Sequence, residues 1–515
     1  MFTKVIYEIY PLTFNYAKGS TQDPHHGSYG NLKGITAAAG YIASLGVDAI
    51  WIAPFYCWNH NGFGYDITDY QNIDPMYGTL EDFKELCDVY HQHNILVLLD
   101  QVYNHCSEKN PWFNLSIKKH PKFSDFFVWH DPIGYDEEGN PIAPNNWPST
   151  WDMSGSSAWT YCPQRKQFYM HSFDYTMPNL NINNPMVRKE LLKISKHWFD
   201  LGADGFRLDA TTHYGCDTEF RDNPLDENNK QMRIYDINST IGAQFLAEMK
   251  ALANSYPTPK ILLAEYVFDK GEAGNQKGEK VVRESVCDSF YIGSLKGTLA
   301  DFKQKVIKAL QVSPNGEKLN WAFSNHDLER AATRLWKDTF TQDKCAMLMD
   351  MLLTLPGSIC IYQGDELGMP NPLNLELCKN LKRDTRDVWQ IANNAWDGAR
   401  SGFCFSPTSH SDMALHPDAR QCKFCVENQE KDMNSVLNRV RASIKKRHEG
   451  IFKELGKVIF LELSDNPETI IFIRTNISED HKILCMYNFS CQKVTFTYRN
   501  KEYTLLPESS QTKEL

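Results

Sequence analysis

Four acids stand where apolar runs end. Asp100 closes ILVLLD (95–100), Asp209 closes GFRLD (205–209), Glu265 closes ILLAE (261–265), and Asp327 follows WAFSN (321–325) by two residues. Arg207 lies two positions before Asp209, on the same side of that strand, where its charge can hold Asp209 ionised. His105 and His326 flank the set as hydrogen-bond donors. Any one of these acids reads equally well as a helix cap or a solvated turn residue. Four of them, beside an arginine and two histidines and without a metal-ligand motif, point to chemistry. Converging carboxylates suit glycoside hydrolysis, in which one acid attacks or stabilises an oxocarbenium-like centre while another protonates the leaving oxygen.

Bringing those acids together requires a fold that gathers strand ends. The predicted strands are VIYEIY (5–10), VDAIWIAP (47–54), ILVLLD, GFRLD, ILLAE, CDSFYI (287–292), WAFSN and SICIYQ (358–363). Helical patterns separate them. In TLEDFKELCDVYHQH, Thr79 caps and Asp82 sits three residues on, followed by Phe83, Leu86, Cys87 and Tyr90 at helical spacing. Asn184 precedes Pro185 at the first position of a second helix, and Gly202 stands where it must stop. This alternation predicts an α/β protein. Eight runs fit a closed (β/α)8 TIM barrel, although counting strands leaves an open sheet as the alternative. Residues 104–176, rich in Trp, Pro, Asn and Ser, are too long for a connection and predict an inserted subdomain after strand 3. After a helix at about 434–449, KVIFLEL, TIIFIRT, KILCMYNF and KVTFTY predict a C-terminal antiparallel β domain. The expected divisions are 1–103 and 177–450 for the catalytic barrel, 104–176 for the insertion and 451–515 for the C-terminal domain.

A chain of 515 residues, 42% apolar and 23% charged, is neither disordered nor fibrous and can bury a large core. The net charge of −10 argues against nucleic acid or an anionic membrane as its main partner. Its 14 cysteines are scattered, and VIYEIYP close behind Met1 reads as a strand, not as a signal peptide. No apolar stretch is long enough to span a membrane. The expectation is a cytoplasmic protein with reduced thiols.

The motifs DQVYNH (100–105), GFRLDATTH (205–213), LLAEY (262–266) and FSNHD (323–327) resemble those of the α-amylase family of glycoside hydrolases, glycoside hydrolase family 13. GNLKGI (30–35), GVDAIWIAPFY (46–56), GFGYDITDY (62–70) and NHCSEKNPWF (104–113) extend the resemblance over nearly the whole chain. It implies that Asp209 is the nucleophile, Glu265 the general acid/base and Asp327 a third carboxylate acting through the sugar's hydroxyls. Arg207 and His326 match residues that orient the nucleophile and bind the glucosyl ring; Asp66, Tyr65 and His105 match those that shape the terminal-sugar pocket. Arg400, in DGAR, resembles a further sugar-binding arginine of the α-glucosidase branch. Such enzymes retain configuration, with the two working carboxyls about 5 Å apart and the acid protonated when the leaving group departs.

FGYDITDY, NHCSEKNPWF, FSNHDLERAATR and MPNLN (177–181) are similar to the α-glucosidase and oligo-1,6-glucosidase-like branch, whose members usually carry Asp where this chain has Asn179. Ala210, the small residue after the nucleophile, resembles enzymes that prefer α-1,4 to α-1,6 bonds. The implied activity is exo-type hydrolysis of short oligosaccharides, with the insertion walling off a glucose pocket. A transglycosylase of the sucrose or maltose isomerase type is the nearest alternative. A non-catalytic sugar-binding or transporter-ancillary relative is another, but such proteins have lost the acids and carry an anchor. Where many relatives hold calcium on an acidic loop, STQDPHHGSYGNLKG (20–34) has only Asp23, while Asn104 and His213 match positions around another calcium site. The expectation is no required metal and no cofactor. Cys422 and Cys425, with Cys404, His410 and His416 upstream, form a weak zinc pattern. Trp112, Trp129, Trp147, Trp151 and Trp159 are expected mostly to build the insertion's core. The expected partner is a small oligosaccharide, with no nucleic acid and no membrane.

Overall fold

The structure, a computed structural model, describes residues 3–15, 17, 30–150, 156–266, 279–281, 283–292, 297–370 and 426–515. Eight strands form a barrel: β1 (Val5–Ile9), β2 (Ala49–Ile52), β3 (Leu96–Gln101), β4 (Gly205–Leu208), β5 (Ile261–Tyr266), β6 (Ser289–Ile292), β7 (Leu319–Trp321) and β8 (Ser358–Tyr362). Their order is β1-β8-β7-β6-β5-β4-β3-β2. What separates a barrel from an open sheet is the first strand. β1 pairs in parallel with β2 on one edge, Ile6 opposite Ala49, and with β8 on the other, Val5 opposite Ile359. β1, β2 and β8 are buried at every residue, as parallel strands covered on both faces must be. β7 ends at Trp321, short of the expected WAFSN, because Ser324 has already left the ladder and accepts the Ala331 N–H on its Oγ at 3.0 Å.

Local chemistry starts the helices. α1 (Leu80–Gln92) opens with a capping box in which Thr79 Oγ1 accepts from Asp82 N at 3.2 Å and Asp82 Oδ2 accepts from Thr79 N at 2.9 Å. It buries Phe83, Leu86, Cys87 and Tyr90. α2 (Pro185–Asp200) starts after Asn184, whose Oδ1 accepts from Met186 N at 2.9 Å, and is followed by Gly202 at φ +122°. Ser239 caps α3 (Thr240–Asn254) by accepting Gly242 N at 2.9 Å.

The chain divides into two compact units, one of Met1–Ile52, Met76–Val97 and Tyr291–Leu515, the other of Ala53–Pro75 and Leu98–Phe290. In the second unit, the segment after β3 builds a three-stranded antiparallel sheet in the order Trp129–His130, Gln167–Met170, Trp159–Cys162. Trp147 and Trp159 lie in the apolar cluster beneath it, and their indole N–H groups donate to Arg221 O and Asn145 Oδ1, both at 2.8 Å. Both rings are therefore core. Trp112 and Trp129 pack against Phe126 and Phe113, each with centroids 5.6 Å apart. Trp151 lies outside the described residues.

In the first unit, the chain ends in β9 (Val458–Phe460), β10 (Thr469–Thr475), β11 (Lys482–Asn488), β12 (Val494–Tyr498), β13 (Lys501–Leu505) and β14 (Ser509–Glu514). β9-β10-β11-β14 make an antiparallel sheet, and β12 and β13 make a hairpin. Ile471, Ile473, Leu484, Met486, Val494, Phe496 and Leu505 form their core. β13 and β14 were not among the predicted strands, because KEYTL and SSQTKE present almost no apolar alternation. Among the described residues, no helix is long and apolar enough to cross a membrane.

Candidate active site

The second unit gathers three carboxylates around one cation. β4 runs close beside β5 because position 205 is glycine; a Cβ there would lie 2.4 Å from Ile261 O. Two residues on, the Arg207 side chain is buried between strands. Its Nη1 donates to Asp100 Oδ1 and Oδ2, both at 2.9 Å, and to Asp209 Oδ1 at 2.8 Å, while Nη2 lies 2.9 Å from Glu265 Oε1. Burial opposes the charge of this guanidinium, but Asp100 and Glu265, with further help from Asp209, outweigh it and hold the group well above its ordinary value.

The three acids are not equivalent. The Asp209 and Glu265 side chains are 11% and 14% exposed, whereas that of Asp100 is 0% exposed and also accepts from Tyr65 OH at 3.0 Å. Asp100 thus anchors the arginine, and the other two can reach a ligand. Ala210, directly after Asp209, adopts a left-handed backbone (φ +48°, ψ +37°). That turn aims its N–H at Glu265 Oε2, 2.8 Å away. Both oxygens of Glu265 therefore rest on N–H donors.

The residues expected to hold the terminal sugar lie in the same unit. Asp66 is 1% exposed; its Oδ2 accepts from Asn61 N at 3.2 Å, and its Oδ1 is buried without a hydrogen-bond partner among the described residues. Burial pushes this carboxyl up to about 7. His105 meets Phe173 edge-on at 5.2 Å, and its Nε2 is likewise buried and unpartnered among the described residues. Burial lowers the imidazole to about 3, so it is neutral at physiological pH. Asn179 is bridged to His105 through the backbone and uses both ends of its amide. Oδ1 accepts from Ser172 N at 2.8 Å, and Nδ2 donates to Ser172 Oγ at 2.7 Å, a donor that an aspartate would lack. The Asn104 amide nitrogen donates to Asn179 Oδ1 at 3.3 Å and lies 3.4 Å from His105 Nδ1, and His213 packs against Phe173 at 5.1 Å.

His326 and Asp327 belong to the first unit, just beyond β7. His326 Nδ1 lies 2.6 Å from Glu8 Oε1, and its Nε2 lies 3.5 Å from Asp327 Oδ2. Tyr10 stacks on the ring and Trp51 meets its edge, both with centroids 5.9 Å away. Glu8 escaped the sequence analysis, where an acid inside an apolar run looks like an interruption; its only signal is that the strand around it is otherwise wholly apolar or aromatic. Arg400, Asp23 and the Cys422/Cys425 set lie outside the described residues. Among the described residues, no group of three or more His, Cys, Asp or Glu side chains is placed to hold a metal ion. A cavity of about 410 Å³ in the second unit, lined by Asn183, Asp217, Arg221 and Tyr235 among others, contains none of the predicted site residues. Its main charges already pair with each other, Arg221 with Asp217 at 2.6 Å.

A family model of the α-amylase catalytic domain matches residues 8–454. The chain belongs to the α-amylase family. Within the α-amylase family it is similar to a probable α-glucosidase of Rhizobium meliloti (strain 1021), 33% identical over 95% of this chain and 89% of that protein. It is also similar to an oligo-1,6-glucosidase of Saccharomyces cerevisiae, 29% identical over 97% of this chain and 93% of the other. The crystal structure of an α-glucosyl transfer enzyme, 28% identical, superposes with a TM-score of 0.81 over 99% of this chain and 98% of that one. This α-amylase-family protein is an enzyme, a glycoside hydrolase of α-glucosidase-like type.

Proposed function

We propose that the enzyme is a retaining, exo-acting α-glucosidase that removes terminal α-linked glucose from short oligosaccharides, with α-1,4 bonds favoured over α-1,6. The observation that carries this reading is the sharing of Arg207 by Asp209 and Glu265, the two acids of the cluster that reach solvent. Asp209 attacks the anomeric carbon while Glu265 passes its proton to the leaving oxygen, which departs as the rest of the sugar. Water then adds to the glucosyl ester as Glu265 takes its proton, and Asp209 is released with the original anomeric configuration. To act as the acid, Glu265 must first exchange an N–H contact for a proton. Asp327 is assigned the third-carboxylate role, and His326 and Arg400 are assigned sugar contacts. Asp66 Oδ1 and His105 Nε2, unpartnered among the described residues, support a pocket for the terminal glucose beside Tyr65, because buried polar atoms without protein partners are what a sugar hydroxyl satisfies. The small Ala210 supports the α-1,4 preference. The reading needs no metal or cofactor, and its partner is a small oligosaccharide. The scattered cysteines of a chain long enough to bury a core without disulfides support a reducing compartment such as the cytoplasm.

Anomer-resolved NMR of the enzyme acting on maltotriose tests this, with Asp209→Asn as control. Early α-glucose plus maltose is expected, and the control should lose on the order of 10³-fold or more in rate. β-Glucose released first would refute retention, and equal turnover of starch and maltotriose would refute the exo reading. The α-glucosyl transfer enzyme among the similar structures makes transglycosylation the second reading, and longer or re-linked products would establish it.

A further inference from the structure

The geometry points to Glu8 as a positioning residue that acts on the reaction through His326. The inference rests on the sugar-contact role assigned above to His326. Glu8 is 0% exposed, in a strand that is buried throughout. A carboxylate in such a place is strongly unfavourable unless a specific partner compensates it. The partner is 318 residues away in sequence: His326 Nδ1 lies 2.6 Å from Glu8 Oε1, and the His326 backbone N lies 3.4 Å from the same oxygen.

So short a contact to an acceptor decides which ring nitrogen carries hydrogen. Nδ1 donates to Glu8, as metal-binding histidines elsewhere donate to an outer carboxylate that sets their tautomer and orientation. The rings of Tyr10 and Trp51 restrict rotation about the side chain. The second nitrogen, Nε2, is thereby aimed at Asp327, whose side chain is 39% exposed and is the most accessible acid of the set. Glu8 itself touches no substrate. It fixes the face that His326 presents to a sugar hydroxyl shared with Asp327.

A double-mutant cycle tests the inference. Glu8→Met keeps the side chain's approximate volume and removes the acceptor. On maltotriose it should lower kcat/KM on the order of 10- to 100-fold, by analogy with the loss of outer partners of metal-bound histidines, and kcat should carry most of the fall. In a His326→Gln background the same change should alter kcat/KM by less than about twofold, because its route of action is gone. Glu8→Gln, which keeps an acceptor oxygen, should recover most of the loss. Wild-type rates in Glu8→Met, or an equal loss in both backgrounds, would overturn the inference, since a purely structural role for Glu8 would be additive. If Glu8→Met fails to fold, Glu8→Leu, which also lacks the acceptor, is carried through the same cycle and judged by the same additivity criterion. No turnover of any α-glucoside by the wild-type enzyme would instead overturn the α-glucosidase reading, and this inference with it.

Discussion

Acidification acts on His105 and Asp66 with opposite signs, and the two should mask each other. The His105 imidazole is lowered by burial to about 3 in the folded protein, against about 6.5 in an unfolded chain. Between those values the unfolded state binds more protons. This group's contribution to stability is therefore complete above about pH 6.5 and lost as pH falls. The Asp66 carboxyl is raised by burial to about 7, against about 3.9 unfolded, so the folded state binds more protons in the window between. Its contribution is greatest below the unfolded value and is lost as pH rises through about 7. Integrated from pH 7 to pH 5, His105 removes about 2 kcal/mol of stability and Asp66 adds about 2 kcal/mol. The wild-type protein should change little between these pH values on account of this pair. His105→Asn should expose the Asp66 contribution and gain about 2 kcal/mol on going to pH 5, whereas Asp66→Asn should lose about the same. Urea unfolding of the wild type, both single variants and the double variant at pH 5, 6 and 7 reads this directly. Parallel pH dependence in all four proteins would refute the burial argument for both groups.

Arg207→Gln leaves Asp100 buried without its cation, and it should lose about 3–5 kcal/mol of stability in a denaturant melt, together with measurable turnover. Retained stability would show that Asp100 is neutral in the fold. Ala210→Val places a β-branched side chain on a left-handed backbone, with an expected strain of about 1–3 kcal/mol. If Ala210 governs linkage preference, the same variant should raise turnover of isomaltose relative to maltose; an unchanged ratio would remove Ala210 from that role.

The barrel was legible because strands covered on both faces must be continuous apolar runs, and VIYEI, AIWI and SICIY are such runs. Half of the Arg207 cluster was legible too, since residues 207 and 209 share a face of one strand. The other half depends on neighbouring strands: Asp100 stands opposite Arg207 in the β3–β4 register, and Leu263, two residues before Glu265, stands opposite it in β4–β5. No local pattern supplies those registers. Asp100 was therefore visible as one of four acids but not as the buried anchor. Glu8 was missed because its partner is remote. Asn179 looked like a weakening of the family match, and only its two-way amide bonding to Ser172 gives it a reason of its own. β14 is polar along its length and is held by a ladder to β11, Thr512 opposite Cys485, so backbone pairing rather than side-chain pattern defines it.

The closure of β1 onto β8 joins residues 354 positions apart. At about 5–20 residues per second, a ribosome needs about 20–70 s to make the intervening chain. β1 can pair with β2 early, but throughout that interval its other edge lacks β8, and the Glu8 carboxylate waits 318 residues for His326. A nascent or prematurely terminated chain would thus display VIYEI as an open, apolar strand edge, the kind of surface that recruits other strands. Synthesis of this enzyme is exposed to aggregation at its first strand until its last barrel strand has emerged.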